Sequence, residues 1–359
     1  MFIAKRVVFW CFVIFAVFGF AADNGGLAVL VDHGHFKRAR AVLEKRLAAN
    51  PRDADALVLM ARVKLAYNDA DEATRLLQQA LAVQPNHSGA HLFLAEAYSR
   101  KVDKMGFFDK IGMAKKIKGE TEKALAADPK SIDALEGMMH YYLEAPGIMG
   151  GSRSQADEMA DRIVAVDPVQ GNLAKGEIAS HEKEYDRVEG FYLKALQAGP
   201  QSYDALLAVG SLYAGGRWKN DDKSADYALG AQKVDPGRSG TYNLLAQNYA
   251  ARERWDDLDR LLARAEKNVP DNLFPYFLAG RSLMANGKDP VRAEKYFRKY
   301  LTQQEPEGET PPLAFAHWRL GLALEKQGRK QEAIQEIQIA LQMKPDIKEA
   351  QKDLKRLKA

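Results

Sequence analysis

ADALVLMARVKLAYNDADEATRLLQQALAVQPNH, residues 54–87, is the stretch on which the fold turns. Apolar residues recur at helical spacing on both sides of Asn68, so it reads as two helices joined by a short turn. With Ala54 as place 1, Leu57, Met60, Ala61, Asn68, Ala73, Leu77, Ala80 and Pro85 fall at places 4, 7, 8, 15, 20, 24, 27 and 32. Starting from Ala314, the residues Leu320, Gly321, Leu324, Gly328, Ala333, Ile337, Ala340 and Pro345 fall at places 7, 8, 11, 15, 20, 24, 27 and 32. Small residues at 8, 20 and 27 let the paired helices approach closely. A Gly or Asn near 15 accepts the left-handed turn that ends the first helix. Proline at 32 stops the second helix and restricts the residue before it.

The same ending recurs along the chain, at Pro51, Pro85, Pro129, Pro168, Pro200, Pro236, Pro270, Pro306 and Pro345. The separations are 34, 44, 39, 32, 36, 34, 36 and 39 residues, a basal period of 34 with insertions. The pattern resembles the tetratricopeptide repeat. Nine motifs are expected at 27–53, 54–87, 88–131, 132–170, 171–202, 203–238, 239–272, 273–306 and 314–347, within an array over 22–347. One helix pair cannot bury its apolar stripe, so neighbours stack around a shared core. The expected fold is all-α, and the resemblance implies a right-handed solenoid with a concave inner face. Residues 348–359 carry Ala350, Leu354 and Leu357 on one stripe and lysines elsewhere, which reads as a solvating C-terminal cap helix.

The first residues differ in kind. Lys5 and Arg6 precede an unbroken apolar run from Val7 to Phe18, then Gly19 and Ala21. This is the order of a secretory signal peptide, expected at 1–21 with cleavage after Ala21. Val7 to Ala22 is 16 residues, short for a bilayer span; an uncleaved inner-membrane anchor is the alternative. The only cysteine, Cys11, lies in this run after bulky Val8, Phe9 and Trp10, which argues against a lipid-attachment site. Removing Lys5 and Arg6 lowers the net charge from +4 to +2, and acids and bases are otherwise interspersed, so no nucleic-acid footprint is present. The expected location is the bacterial periplasm.

Two places break the period. The unit from Ser88 is ten residues too long, with the excess at 101–114. Phe107, Phe108, Ile111, Ala114 and Ile117 keep helical spacing there, which reads as a second helix extended at its start with its apolar side in the core. Lys110, Lys115, Lys116 and Lys118 make its other side basic, giving an alternative role at a membrane surface or complex. In the unit from Ile132, APGIMGGS enlarges the turn by five residues at 145–151, with Ser152 as helix cap and Arg153 after it. No strand precedes this glycine-rich turn and no Gly-Lys-Ser follows, so it is not a nucleotide loop. Both insertions are expected on one edge.

In the family that this array resembles, the first helix of each pair lines the groove. Carried over by place, that implies Arg62, Arg100, Glu136, His140, Asn243, Gln247, Phe274, Phe277 and Arg281 as partner-contacting residues. Phe274 and Phe277 read equally well as packing residues. Val58 with Arg62, and Asn243 with Gln247, do not reproduce a carboxylate clamp. Asp32, His33 and His35 could hold a metal only weakly, and Gly34 is better explained as the turn. No catalytic constellation emerges, and no metal or cofactor is expected. The functional expectation is a non-enzymatic exported scaffold for a protein or extended peptide, held in the groove or at the insertion edge.

Overall fold

The computed structural model describes residues 25–102 and 105–359. The expected signal peptide, with Cys11, and Lys104 lie outside the described residues. Nineteen α-helices and no strand occur among the described residues. They form nine consecutive pairs and a last helix. The pairs are α1 (Gly25–Asp32) with α2 (Phe36–Ala49), α3 (Ala54–Ala66) with α4 (Ala70–Val83), and α5 (Ser88–Ser99) with α6 (Phe107–Ala127). Next come α7 (Ile132–Glu144) with α8 (Arg153–Val166), α9 (Pro168–His181) with α10 (Tyr185–Ala198), and α11 (Tyr203–Tyr213) with α12 (Asp221–Val234). The series closes with α13 (Ser239–Ala251) and α14 (Trp255–Asn268), α15 (Phe274–Ala285) and α16 (Pro290–Tyr300), α17 (Leu313–Lys326) and α18 (Lys330–Met343), then α19 (Lys348–Lys358). Each helix packs on the next in chain order, the arrangement of a helical solenoid.

Local chemistry explains the boundaries. Asp53 accepts from the Ala56 amide (3.0 Å), Ser131 from Ala134 (3.2 Å), Ser202 from Ala205 (3.2 Å) and Asn220 from Lys223 (3.0 Å), each satisfying an orphan donor of a helix start. The turn between paired helices passes through a left-handed residue: Asn68, Gly287 and Gly328 do so readily, whereas Lys183 and Glu253 do so at φ 61° and 56°. Close helix approach is enforced at Gly321, where a Cβ would sit 2.6 Å from the Ile337 side chain and 3.0 Å from the Ala333 carbonyl oxygen.

Buried clusters run from Val31 to Ala97 and from Ala225 to Leu357, with two smaller ones between them. The weakest burial is in α6, 21 residues long against 14 in most second helices, where only Thr121 and Ala124 are fully covered. The enlarged turn after α7 is tightly tied: Tyr141 donates its hydroxyl to the Met149 carbonyl, and the Ser152 amide donates to Tyr142 O at 2.9 Å. Ser152 then caps α8 by accepting from the Gln155 amide.

The array also touches itself across long sequence distances. Glu307, almost wholly buried, accepts from the Lys37 amide at the start of α2 (2.8 Å) and lies 3.5 Å from the Lys37 ammonium. His35, at the N-terminal boundary of α2, supplies no side-chain cap, so a carboxylate 270 residues away takes that role. His35 Nε2 bonds Gly237 O at 2.8 Å, and His33 faces Asp235 at 3.3 Å. Arg38 pairs with Asp271, Arg40 with Glu305 (2.7 Å) and Arg100 with Glu309 (2.8 Å). A Cβ on Gly308 would meet the Phe36 ring at 2.6 Å. This clasp joins the first pairs to the connections after α12, α14 and α16.

Candidate functional site

The inner face falls into two parts. In the clasped part the cations are already spent. Arg62 donates to Asp32 at 2.6 Å and lies over the Phe93 ring, and Arg100 is shared by Glu96 (2.7 Å) and Glu309 (2.8 Å). Together they line a small cavity of about 160 Å³. Both arginines are thus matched within the chain.

Beyond Arg62 the interior turns acidic. Burial pushes the Asp133 carboxyl up from 3.8 to about 6, and Asp133 Oδ1 has no hydrogen-bond partner. Burial also raises Glu136 well above the usual carboxylate range, reinforced by Asp133, Glu177 and Asp204. Glu144 is raised as well, again by burial first, with His140 and His181 opposing. His140 lies 3.7 Å from Glu177. Thus Glu136 and His140 both lie near Glu177, in a setting that favours a proton or another positive charge.

In the last three repeats the arrangement is reversed. Gln247, Arg281, Arg319, Leu322, Lys326 and Arg356 line a groove of about 640 Å³ between α13, α15, α17 and α19. Arg281 donates to Gln247 Oε1 at 2.9 Å, so these two expected residues come together. Arg356 is held by Glu325 and Asp353. Arg319 stacks over Trp318 at 4.2 Å and makes no ion pair among the described residues; burial and the neighbouring Arg281 lower its pKa. Lys326 is exposed and likewise has no ion pair there. Place-counting missed Arg319, which sits one place beyond the inward series, and Arg356, which lies on a helix read as a cap.

Other expected groove residues are placed differently. Phe277 is 3% exposed and packs on Phe297 and Tyr300, so it belongs to the core and offers no surface to a partner. Phe274 is half-buried against Phe277. Asn243 keeps its Oδ1 buried without a hydrogen-bond partner, and its carbonyl accepts from Gln247. His33 and His35 belong to the clasp, and no group of three or more His, Cys, Asp or Glu among the described residues could hold a metal ion.

At the insertion edge, Phe107 and Phe108 are 59% and 85% exposed, so the apolar start of α6 is surface and not core as its spacing suggested. Lys115 and Lys116 are exposed, and Lys110 is half-buried. Lys118 lies by Glu122 and over Tyr142, and a Cβ on Gly150 would lie 3.9 Å from its ammonium, placing the second insertion beside α6. Ile148, on the second insertion, is also exposed. Arg153 is engaged by Asp157 (2.9 Å) and Glu184 (3.3 Å), so it braces the turn instead of facing a partner. No helix among the described residues is long and apolar enough to cross a membrane.

Two family models described as tetratricopeptide repeat match residues 30–96 and 277–346. Among solved structures, a thermophilic TPR protein of Thermus thermophilus is similar at 20% identity and TM-score 0.46, covering 53% of this chain and 97% of that one. Yeast Tom70 is similar at 15% identity and TM-score 0.48, covering 93% of this chain and 80% of that one. No curated protein matches the chain.

Proposed function

We propose that this chain, a tetratricopeptide-repeat protein, is an exported, non-enzymatic scaffold that holds a protein or peptide along the inner face of its last repeats. Tetratricopeptide repeats support a protein-protein interaction role in general. The observation that carries the reading is the groove in which side chains from α13, α15, α17 and α19 converge, with Arg319 and Lys326 making no ion pair among the described residues. Such a surface is formed before the partner arrives, which lowers the ordering cost of binding. Export rests on the Val7–Phe18 run and its basic flank, which also support delivery to the periplasm with the leader removed after Ala21. The mass of the mature chain tests that step: retention of residues 1–21 would favour an anchored protein.

Photo-crosslinking in living cells tests the scaffold itself, with probes at Asn286 in the groove, His140 in the acidic interior and Phe108 on the edge. Protein adducts from Asn286 support the reading. Adducts from His140 alone would move the binding surface into the clasped part.

A second reading is favoured by Phe107 and Phe108, exposed at the start of the helix that also carries exposed Lys115 and Lys116. An aromatic pair flanked by lysines suits the boundary of an anionic bilayer. Under this reading the insertion edge docks the scaffold at the membrane. Co-sedimentation with phosphatidylglycerol vesicles that persists after Phe107→Ser and Phe108→Ser substitution would rule it out.

A further inference from the structure

We propose that the groove of the last three repeats recognises an acidic, extended peptide segment whose carboxylates lie against Arg281, Arg319 and Lys326, with an apolar side chain on Leu322 and Met284 between them. The proposal rests on the scaffold reading and adds the chemistry of the partner. Four cationic side chains, Arg281, Arg319, Lys326 and Arg356, line the groove with one carboxylate, Glu325, while Asp353 and Glu349 lie near Arg319. Arg356 already occupies Glu325 and Asp353, Arg281 is held by Gln247, and Arg319 and Lys326 form no ion pair among the described residues. Arg319 is the more telling of the two: half-buried beside the Arg281 guanidinium, it stacks on the Trp318 ring and forms no ion pair among the described residues. A partly desolvated arginine gains most from a carboxylate, which accepts two of its donors at once. Trp318 fixes the guanidinium from below, and its own indole N–H donates to Asp353 at 2.9 Å. Arg281 is steadied by Gln247 at 2.9 Å and adds its charge to the same groove.

Size and composition point to a peptide. About 640 Å³ lies within the usual range for a ligand site and suits a few residues of extended chain. The cations alternate with Met284, Ala285 and Leu322, so the groove offers apolar contact between its charges. A nucleic acid would want exposed aromatic faces and a longer basic track. Here Trp318 is 8% exposed and already covered by Arg319, so no aromatic face is open to a base.

The test is fluorescence anisotropy on the mature chain with a labelled peptide built from Glu-Glu-Leu-Asp units, beside versions carrying Gln or Lys at the acidic positions. The acidic peptide is expected to bind at least about tenfold more tightly than the Gln version, and less tightly as salt is raised. The triple variant Arg281→Glu, Arg319→Glu, Lys326→Glu is expected to lose about tenfold or more. Lys326→Gln, on an exposed side chain that the fold does not need, should lose about threefold. Lys115→Glu on the insertion edge should change nothing. Equal binding of the acidic and Gln peptides, undiminished binding by a folded triple variant, or tighter binding of single-stranded RNA than of the peptide would overturn the proposal. A protein adduct from Asn286 that survives in the triple variant would sink the acidic partner but leave the scaffold standing. If no protein adduct forms at Asn286, His140 or Phe108, the scaffold reading itself falls.

Discussion

The two halves of the inner face use charge in opposite ways. In the first repeats Arg62, Arg100, Lys37, Arg38 and Arg40 are each matched by a carboxylate, several of them from residues 271–309. In the last repeats Arg319 and Lys326 have no such match among the described residues. One half spends its charges on holding the solenoid closed, and the other leaves them available. An arginine on the inner face is therefore no guide to binding until its partners are known.

The comparison can be broken most strongly at Glu307. Glu307→Ala leaves the Lys37 amide without its acceptor and the Lys37 ammonium with the Asp271 carbonyl but no carboxylate, and is expected to cost about 2–4 kcal/mol of local stability. Hydrogen exchange should report the loss in α1 and α2 and spare α17 and α18. Uniform loss along the chain would show that the clasp is not a local device. At the other end, Gly321→Val forces a side chain onto Ile337 and Ala333, and should cost about 1–3 kcal/mol by denaturant melts.

Acidity sharpens the comparison, because the two kinds of group in the closed half respond with opposite sign. Asp133 is raised to about 6, so its burial penalty appears as pH rises from 3.8 through 6 and is fully present at pH 7. Asp133→Asn should then raise stability at pH 7 by about 1–3 kcal/mol and by much less at pH 4. His33 and His35 are lowered from 6.5, mainly by burial, with Arg238 pressing the first the same way and Arg38 the second. Asp235, Asp32 and Asp204 oppose at His33, and Asp271 and the Gly237 carbonyl oppose at His35. Their contribution is complete above 6.5 and is lost as pH falls through the lowered value, so acid loosens the clasp. In an Asp133→Asn, Glu136→Gln, Glu144→Gln background the raised carboxylates of the acidic interior no longer oppose the histidine effect, and melting temperature should fall from about pH 7 to about pH 5. A rise over that range would contradict the assignment. The smallest effect is expected at Glu253, whose left-handed backbone glycine accepts more easily: Glu253→Gly should add about 0.5–1 kcal/mol in thermal melts.

The helix pairs were legible because their causes are local. Ala73, Ala80 and Gly321 stand where helices must approach, Asn68 and Gly328 where the chain must turn, and Asp53 and Ser131 where amides need a cap. The clasp was not legible, since a bond from Lys37 to Glu307 leaves no trace in a 34-residue period. The one available hint was the stretch 307–313, which fits no motif. Place-counting put Phe277 on the groove because it ignores how α15 is rotated against α16, where Phe297 and Tyr300 cover that ring. It passed over Arg319 for the same reason. At the edge, helical spacing made Phe107 and Phe108 look like core, but among the described residues little packs over the start of this elongated helix.

The most direct test of the division between the halves is hydrogen exchange of the protein with and without saturating acidic peptide. The account expects slower exchange in α13, α15, α17 and α19, with α1 to α10 unchanged. Protection confined to α3, α7 and α9, around Asp133 and His140, would contradict it.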